Sequence, residues 1–198
     1  MKNSFERFAG RAAVMASISG FLYSVAFIVL QSNVLSALFL LLGGLFSIAA
    51  LTALYQHLRG TDSGFALLGL LFTLSAALGS AIHGGYDLAN ALHPPAAINL
   101  DLPNPIDPRG FLTFGVAGLG LFLLSGLLSQ NTGFPKGLAY IGYLSAILMV
   151  ILYLGRLIIL QATSLVIVIP ALLEGFLVNP LWYLWLGRIL MRDQSVSK

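Results

Sequence analysis

Long apolar runs separated by short polar breaks dominate the chain. Residues Ala12 to Leu58 hold no charge at pH 7, with His57 neutral, and that run of 47 residues is long enough for two membrane spans. A spanning helix needs about 20 residues. Gln31-Ser32-Asn33 supplies the polar turn between the two. Further charge-free runs cover Ser63–Tyr86, Gly110–Pro135, Gly137–Gly155, Leu157–Leu173 and Gly175–Gly187. The pattern predicts six helices, at about 12–31, 35–58, 64–88, 110–130, 136–160 and 164–190. A membrane strand needs only about 9–11 residues, so the run lengths favour helices over a barrel. The expected fold class is all-α, a polytopic transmembrane bundle of six helices forming one integral membrane domain over 1–198.

Composition makes the bilayer the solvent. The chain is 58% hydrophobic and 9% charged, against about 25% charged in soluble domains. With no cysteine, a disulfide framework, a thiolate metal site and a thiol nucleophile are all excluded. The ten basic residues fall mostly at predicted helix ends, which argues for orientation and against nucleic acid. One side receives Lys2, Arg7, Arg11, Arg59, Lys136, Arg188, Arg192 and Lys198, and the other Arg109 and Arg156. That split predicts both termini in the cytoplasm of a multi-pass cytoplasmic-membrane protein. The basic start of the first span resembles a signal peptide, but the span is too long and lacks a small-x-small cleavage site, so it is expected to be retained. Trp182, Tyr183, Trp185, Tyr140 and Tyr143 are expected at the inner interface. The outer loop 92–109 holds Pro94, Pro95, Pro103, Pro105 and Pro108, and reads as a stiff connector or a cap over the outer mouth.

Against this background one acid stands out. Glu174 interrupts the last apolar run, where an ionised carboxylate costs at least ~2.5–3.5 kcal/mol. Helix rise gives a depth ruler. With Arg188 at the inner boundary, Glu174 lies roughly 21 Å in and about 9 Å below the outer boundary. By the same ruler Arg156 and His83 each sit about 30 Å from the inner side, and Asp87 one turn further. His83, Asp87, Arg156 and Glu174 are therefore the candidate ligand-binding residues, expected to converge between helices three, five and six. His83 and Asp87 share a face at i, i+4. Small residues at 76, 80 and 84 and at 77, 81 and 85 suit tight helix contact, and Gly84 and Gly85 admit a helix or a ligand. Pro170 and Asn179-Pro180 suggest an interrupted last helix lining a cavity.

Glu174 has two open readings: an ion- or ligand-binding carboxylate, or a structural partner of Arg156, Asn179 or a backbone carbonyl. Arg156 alone reads as an interfacial arginine. His83, Asp87 and His93 have a spacing permissive for a metal, but no metal, cofactor or catalytic residue is expected. His57 and His83 lie at opposite membrane faces, which disfavours a bis-histidine haem. Hydrolase, phosphate-loop and metalloprotease motifs are absent from the sequence. A faint repeat links Thr61-Asp-Ser-Gly-Phe65 and Ala66-x-x-Gly69 with Thr132-Gly-Phe134 and Ala139-x-x-Gly142.

Four segments carry a resemblance: Ile18-Ser-Gly-Phe-Leu-Tyr23, Leu54-Tyr-Gln-His-Leu58, Phe134-Pro-Lys-Gly-Leu138, and Ile169-Pro-Ala-Leu-Leu-Glu174 with Asn179-Pro-Leu-Trp-Tyr-Leu-Trp-Leu-Gly187. Together the chain resembles an uncharacterised bacterial membrane family, domain-of-unknown-function family 4386. The resemblance implies a multi-helix bacterial inner-membrane protein and brings no activity. The functional expectation is binding of a small molecule, lipid or ion in an outer-facing intramembrane cavity, in a transporter-like or sensory accessory role. The alternatives are an assembly subunit of a membrane complex with its charges as interhelical staples, and, less favoured, a membrane enzyme using His83 with Asp87. Expected partners are the lipid bilayer, a small-molecule or lipid ligand, and a membrane protein or second copy.

Overall fold

Six helices grow from the six apolar runs, because a chain in hydrocarbon must satisfy its backbone internally. The computed structural model describes residues 4–94, 110–159, 161 and 163–192. The helices are α1 Ser4–Val29, α2 Asn33–Leu58, α3 Ser63–Leu92, α4 Phe111–Gln130, α5 Lys136–Ile159 and α6 Leu165–Met191. Each is long and apolar enough to cross a membrane. Large apolar side chains cover the outside: Ile82, Ile158 and Leu165 are 69%, 73% and 69% exposed. That surface suits lipid and not water.

Polar residues set the boundaries. Gln31 turns the chain with φ 51°, and the Ser32 hydroxyl caps α2 by accepting from Leu35 N at 3.4 Å. Asp62 caps α3 by accepting from Phe65 N at 3.0 Å. α1 starts at Ser4, well before residue 12, so Glu6, Arg7 and Arg11 are helical. Charges mark where a helix leaves lipid; they do not end it. α3 likewise runs on past 88 to Leu92. His93 and Pro94 follow it, exposed, and the remaining prolines of the outer loop lie outside the described residues.

Sequence neighbours are spatial neighbours: α1 packs on α2, and so on to α6, which returns to α1. The bundle is thus a closed ring with α3 opposite α6. Small residues form its joints. A Cβ on Gly44 would meet Ala77 O at 2.6 Å, and one on Gly84 would meet Ala37 O at 2.7 Å, so α2 and α3 touch backbone to backbone. A Cβ on Gly187 would meet Gly10 O at 2.7 Å where α6 meets α1, and one on Gly118 would meet Ala146 O at 2.8 Å between α4 and α5. Of the two expected small-residue stripes on α3, Ala77, Ala81 and Gly84 meet α2, whereas Gly85 has open space around it. In the repeat-like segments, Ala66 and Ala139 are both fully buried, and Gly69 and Gly142 both face α4.

The core is lopsided. Its largest fully buried side chains are Trp182, Leu54, Leu58, Leu124, Leu128, Leu138 and Leu186. All of them belong to the half of the ring where α1 begins and α6 ends, here called the terminal end. Toward the opposite loop end, Val116, Leu152 and Ile167 are buried among mostly small residues: Ser24, Ala26, Ser36, Ala37, Ala81 and Gly84. Trp182 therefore belongs to the core, not to the interface expected for it. Trp185 leans on Gly137, whose Cβ would meet the indole at 2.7 Å. Tyr140, 65% exposed, does lie on the surface.

Candidate functional site

Glu174 is 5% exposed, the one buried charged residue type among the described residues. It opens a π-helical segment, Glu174–Val178, set between Pro170 and Pro180. Proline lacks the N–H that an α-turn needs, and a wider turn beside it is one way for the helix to continue. The last helix is therefore re-wound at the predicted interruption, not broken there. Ser24 of α1 fits against Gly175, leaving no room for a side chain at that position. Ser17 Oγ donates to Pro180 O at 2.7 Å, tying α1 to α6 below the site.

The carboxyl group faces α5. Ser145 Oγ donates to Glu174 Oε1 at 2.5 Å. The Asn179 side chain is turned to the same carboxyl group. Oε2 is buried and makes no hydrogen bond of good geometry among the described residues. Tyr183, within hydrogen-bonding range of Ser47 of α2, lies in electrostatic reach of Glu174.

The contact has a definite place along α5. Ser145 lies nine residues beyond Lys136 and eleven before Arg156 on the same helix. Those steps are about 14 Å and about 17 Å of helix rise. Glu174 thus stands level with the middle of α5.

The four candidates do not form one cluster. Arg156 is exposed near the end of α5, too far along the axis for its side chain to reach Ser145 and Glu174. No ion pair among the described residues joins Arg156 to Glu174. His83 Nε2 and Asp87 Oδ2 do pair, at 3.0 Å, as their spacing predicts. They stand on α3, across the ring from α6, at the loop end. Tyr23 of α1, one residue from the Ser24–Gly175 contact, lies in electrostatic reach of Asp87. Among the described residues no group of three or more His, Cys, Asp or Glu side chains is placed to hold a metal ion.

Asn179 is a partner that the sequence suggests, whereas Ser145, Tyr183 and Ser47 were missed. Ser145 had a signal, being the lone serine of α5. The terminal-end latch was missed as well. Glu6 Oε1 pairs with His57 Nε2 at 3.2 Å, and the His57 ring meets Phe134 edge to face at 5.7 Å. Asn131 Nδ2 donates to Thr61 Oγ1 at 3.2 Å, joining the two turns of that face.

Fold and site together define a multi-pass helical membrane protein with a carboxyl group buried between α5 and α6. In comparison with known proteins, no family model, no curated protein and no solved structure matches the chain.

Proposed function

We propose that the protein binds a proton or a small cation at the Glu174 carboxyl group, in a transporter-like or sensory accessory role in the cytoplasmic membrane. The observation that carries this reading is Glu174 itself: buried level with the middle of α5, held by Ser145, with one oxygen unmatched and, among the described residues, no cationic side chain paired with it. A carboxyl group in hydrocarbon without a counter-ion holds a proton or recruits a cation, since a bare buried charge is strongly unfavourable. The uneven core favours access from the loop end, where Val116, Leu152 and Ile167 are the larger buried side chains, over the end that the bulkier set from Leu54 to Leu186 plugs. Arg7, Arg11, Arg59, Lys136, Arg188 and Arg192 all belong to the plugged end, which favours that end as cytoplasmic. The resemblance to family 4386 rests on sequence segments that no family model matches, and it adds no activity.

Proteoliposomes loaded with a pH-sensitive or a sodium-sensitive dye test the proposal under an imposed gradient. Wild type is expected to pass or buffer one of the two ions above empty vesicles, and Glu174→Gln to lose that response while remaining folded. Equal responses from wild type and variant would overturn the assignment. The assembly-subunit reading has its own support in the interhelical bonds Ser17–Pro180 and Ser145–Glu174. Glutamine keeps an amide oxygen for Ser145, so a purely structural Glu174 predicts that Glu174→Gln is silent in both flux and stability.

A further inference from the structure

A groove on the outer surface of α6 has a composition that the buried carboxyl group does not explain. It is lined by Leu181, Leu184, Trp185, Arg188, Ile189 and Arg192, and has a volume of about 180 Å³. Its residues are ordered by polarity along the helix. Leu181 and Leu184 lie toward mid-membrane, Trp185 follows, and Arg188 and Arg192 stand one turn apart at the terminal end. Residues at i, i+4 share a face, so the two guanidinium groups can address one anion. Both arginines are exposed, and neither takes part in an ion pair among the described residues. A third cation is close in the fold: Gly137 abuts the Trp185 indole, and exposed Lys136 precedes it.

We infer that this groove is a site for an anionic phospholipid. Its acyl chain would lie along Leu181 and Leu184, its glycerol level with Trp185, and its phosphate between Arg188 and Arg192. The argument is charge complementarity along an amphiphile's own axis. Lipid covers any apolar groove on a spanning helix, and two unpaired guanidinium groups at its mouth select among lipids by headgroup charge. Arginine suits phosphate because its planar fork donates two parallel hydrogen bonds. A zwitterionic lipid places the same phosphate there but brings its own cation beside the arginines. Basic pockets between spanning helices are known headgroup sites.

The test uses full-length protein carrying Trp182→Phe, so that Trp185 is the only indole. It is reconstituted with brominated phosphatidylglycerol diluted in unbrominated phosphatidylcholine, or with the labels exchanged. Fluorescence quenching then gives the relative occupancy beside Trp185. The expected result is a clear preference for phosphatidylglycerol, falling roughly fivefold for each of Arg188→Gln and Arg192→Gln, from the ~1 kcal/mol typical of a basic residue near an anionic surface. Arg59→Gln, an exposed cation at the same end but outside the groove, is expected to leave the preference unchanged. Equal quenching by both lipids in wild type would overturn the site. So would an Arg59→Gln loss as large as that of Arg188→Gln, which would mean diffuse surface attraction. Competition by free glycerol phosphate as strong as by the lipid would overturn the assignment of a lipid occupant. If Trp182→Phe disturbs the core, native mass spectrometry of the otherwise unaltered protein and its arginine variants gives the same comparison through retained lipid. Glu174→Gln is expected to keep the preference, so this site and the ion site fail independently.

Discussion

Gly84 and Gly85 are chemically identical neighbours with different duties. Gly84 sits against the α2 backbone at Ala37 and Leu41, while Gly85 has nothing within 4 Å. A Cβ at Gly84 must push two helices apart, an overpacking cost of typically 1–3 kcal/mol. Gly84→Ala is therefore expected to lower the unfolding temperature in detergent by several degrees, and Gly85→Ala to leave it unchanged. A fluorescence melt of the two variants decides; equal shifts would contradict the close α2–α3 joint. The sequence shows that these positions are small, but not which helix each one meets, because two adjoining stripes on one helix look alike until a partner is chosen. Glu174 follows the same rule. Its isolation among apolar residues is plain from sequence, whereas its partner Ser145 is 29 residues away and appears only once α5 and α6 are in register.

Helix α6 shows the limit at the scale of an element. Pro170 and Asn179-Pro180 predict a disturbance, and the chain resolves it as a π-helical segment, Glu174–Val178, inside a continuous span. Such a segment amounts to one extra residue in an α-helix. Deleting exposed Leu177 should restore regular α-winding and keep both flanking faces in place. Deleting exposed Ile147 from the regular part of α5 should instead rotate half that helix by about 100° and take Ser145 away from Glu174. Size-exclusion profiles and melting curves are expected to show a monodisperse, near-native Leu177 deletion and a strongly destabilised Ile147 deletion. The opposite order would refute the π-segment assignment. Helix number and most inner boundaries were legible because apolar run length encodes them directly. The start of α1 was not, since charged residues leave the membrane without leaving the helix.

The whole molecule is a closed ring of six helices with its bulkiest core at one end and an acid buried inside it. Ring closure is open to a chemical test, because the chain has no cysteine of its own. A Cβ on Gly10 would lie 2.6 Å from Met191 Cγ, which puts the two Cβ atoms within the ~3.5–4.5 Å range of a disulfide. The Gly10→Cys, Met191→Cys pair is therefore expected to cross-link under mild oxidation in membranes, and no cross-link would open the ring. The convergence of four ionisable residues inferred from depth did not survive as one cluster, because depth along the membrane normal says nothing of position around a ring. His83 and Asp87 stand opposite α6, and Arg156 lies farther along α5 than its side chain can span. What is left inside the ring is a carboxyl group that pairs with no cation among the described residues. Infrared difference spectra of the protein in lipid, recorded on changing pH or sodium for wild type and Glu174→Gln, read that group directly. The account predicts a carboxyl band in wild type that changes with one of the two ions and is missing from the variant. Superimposable spectra would contradict it.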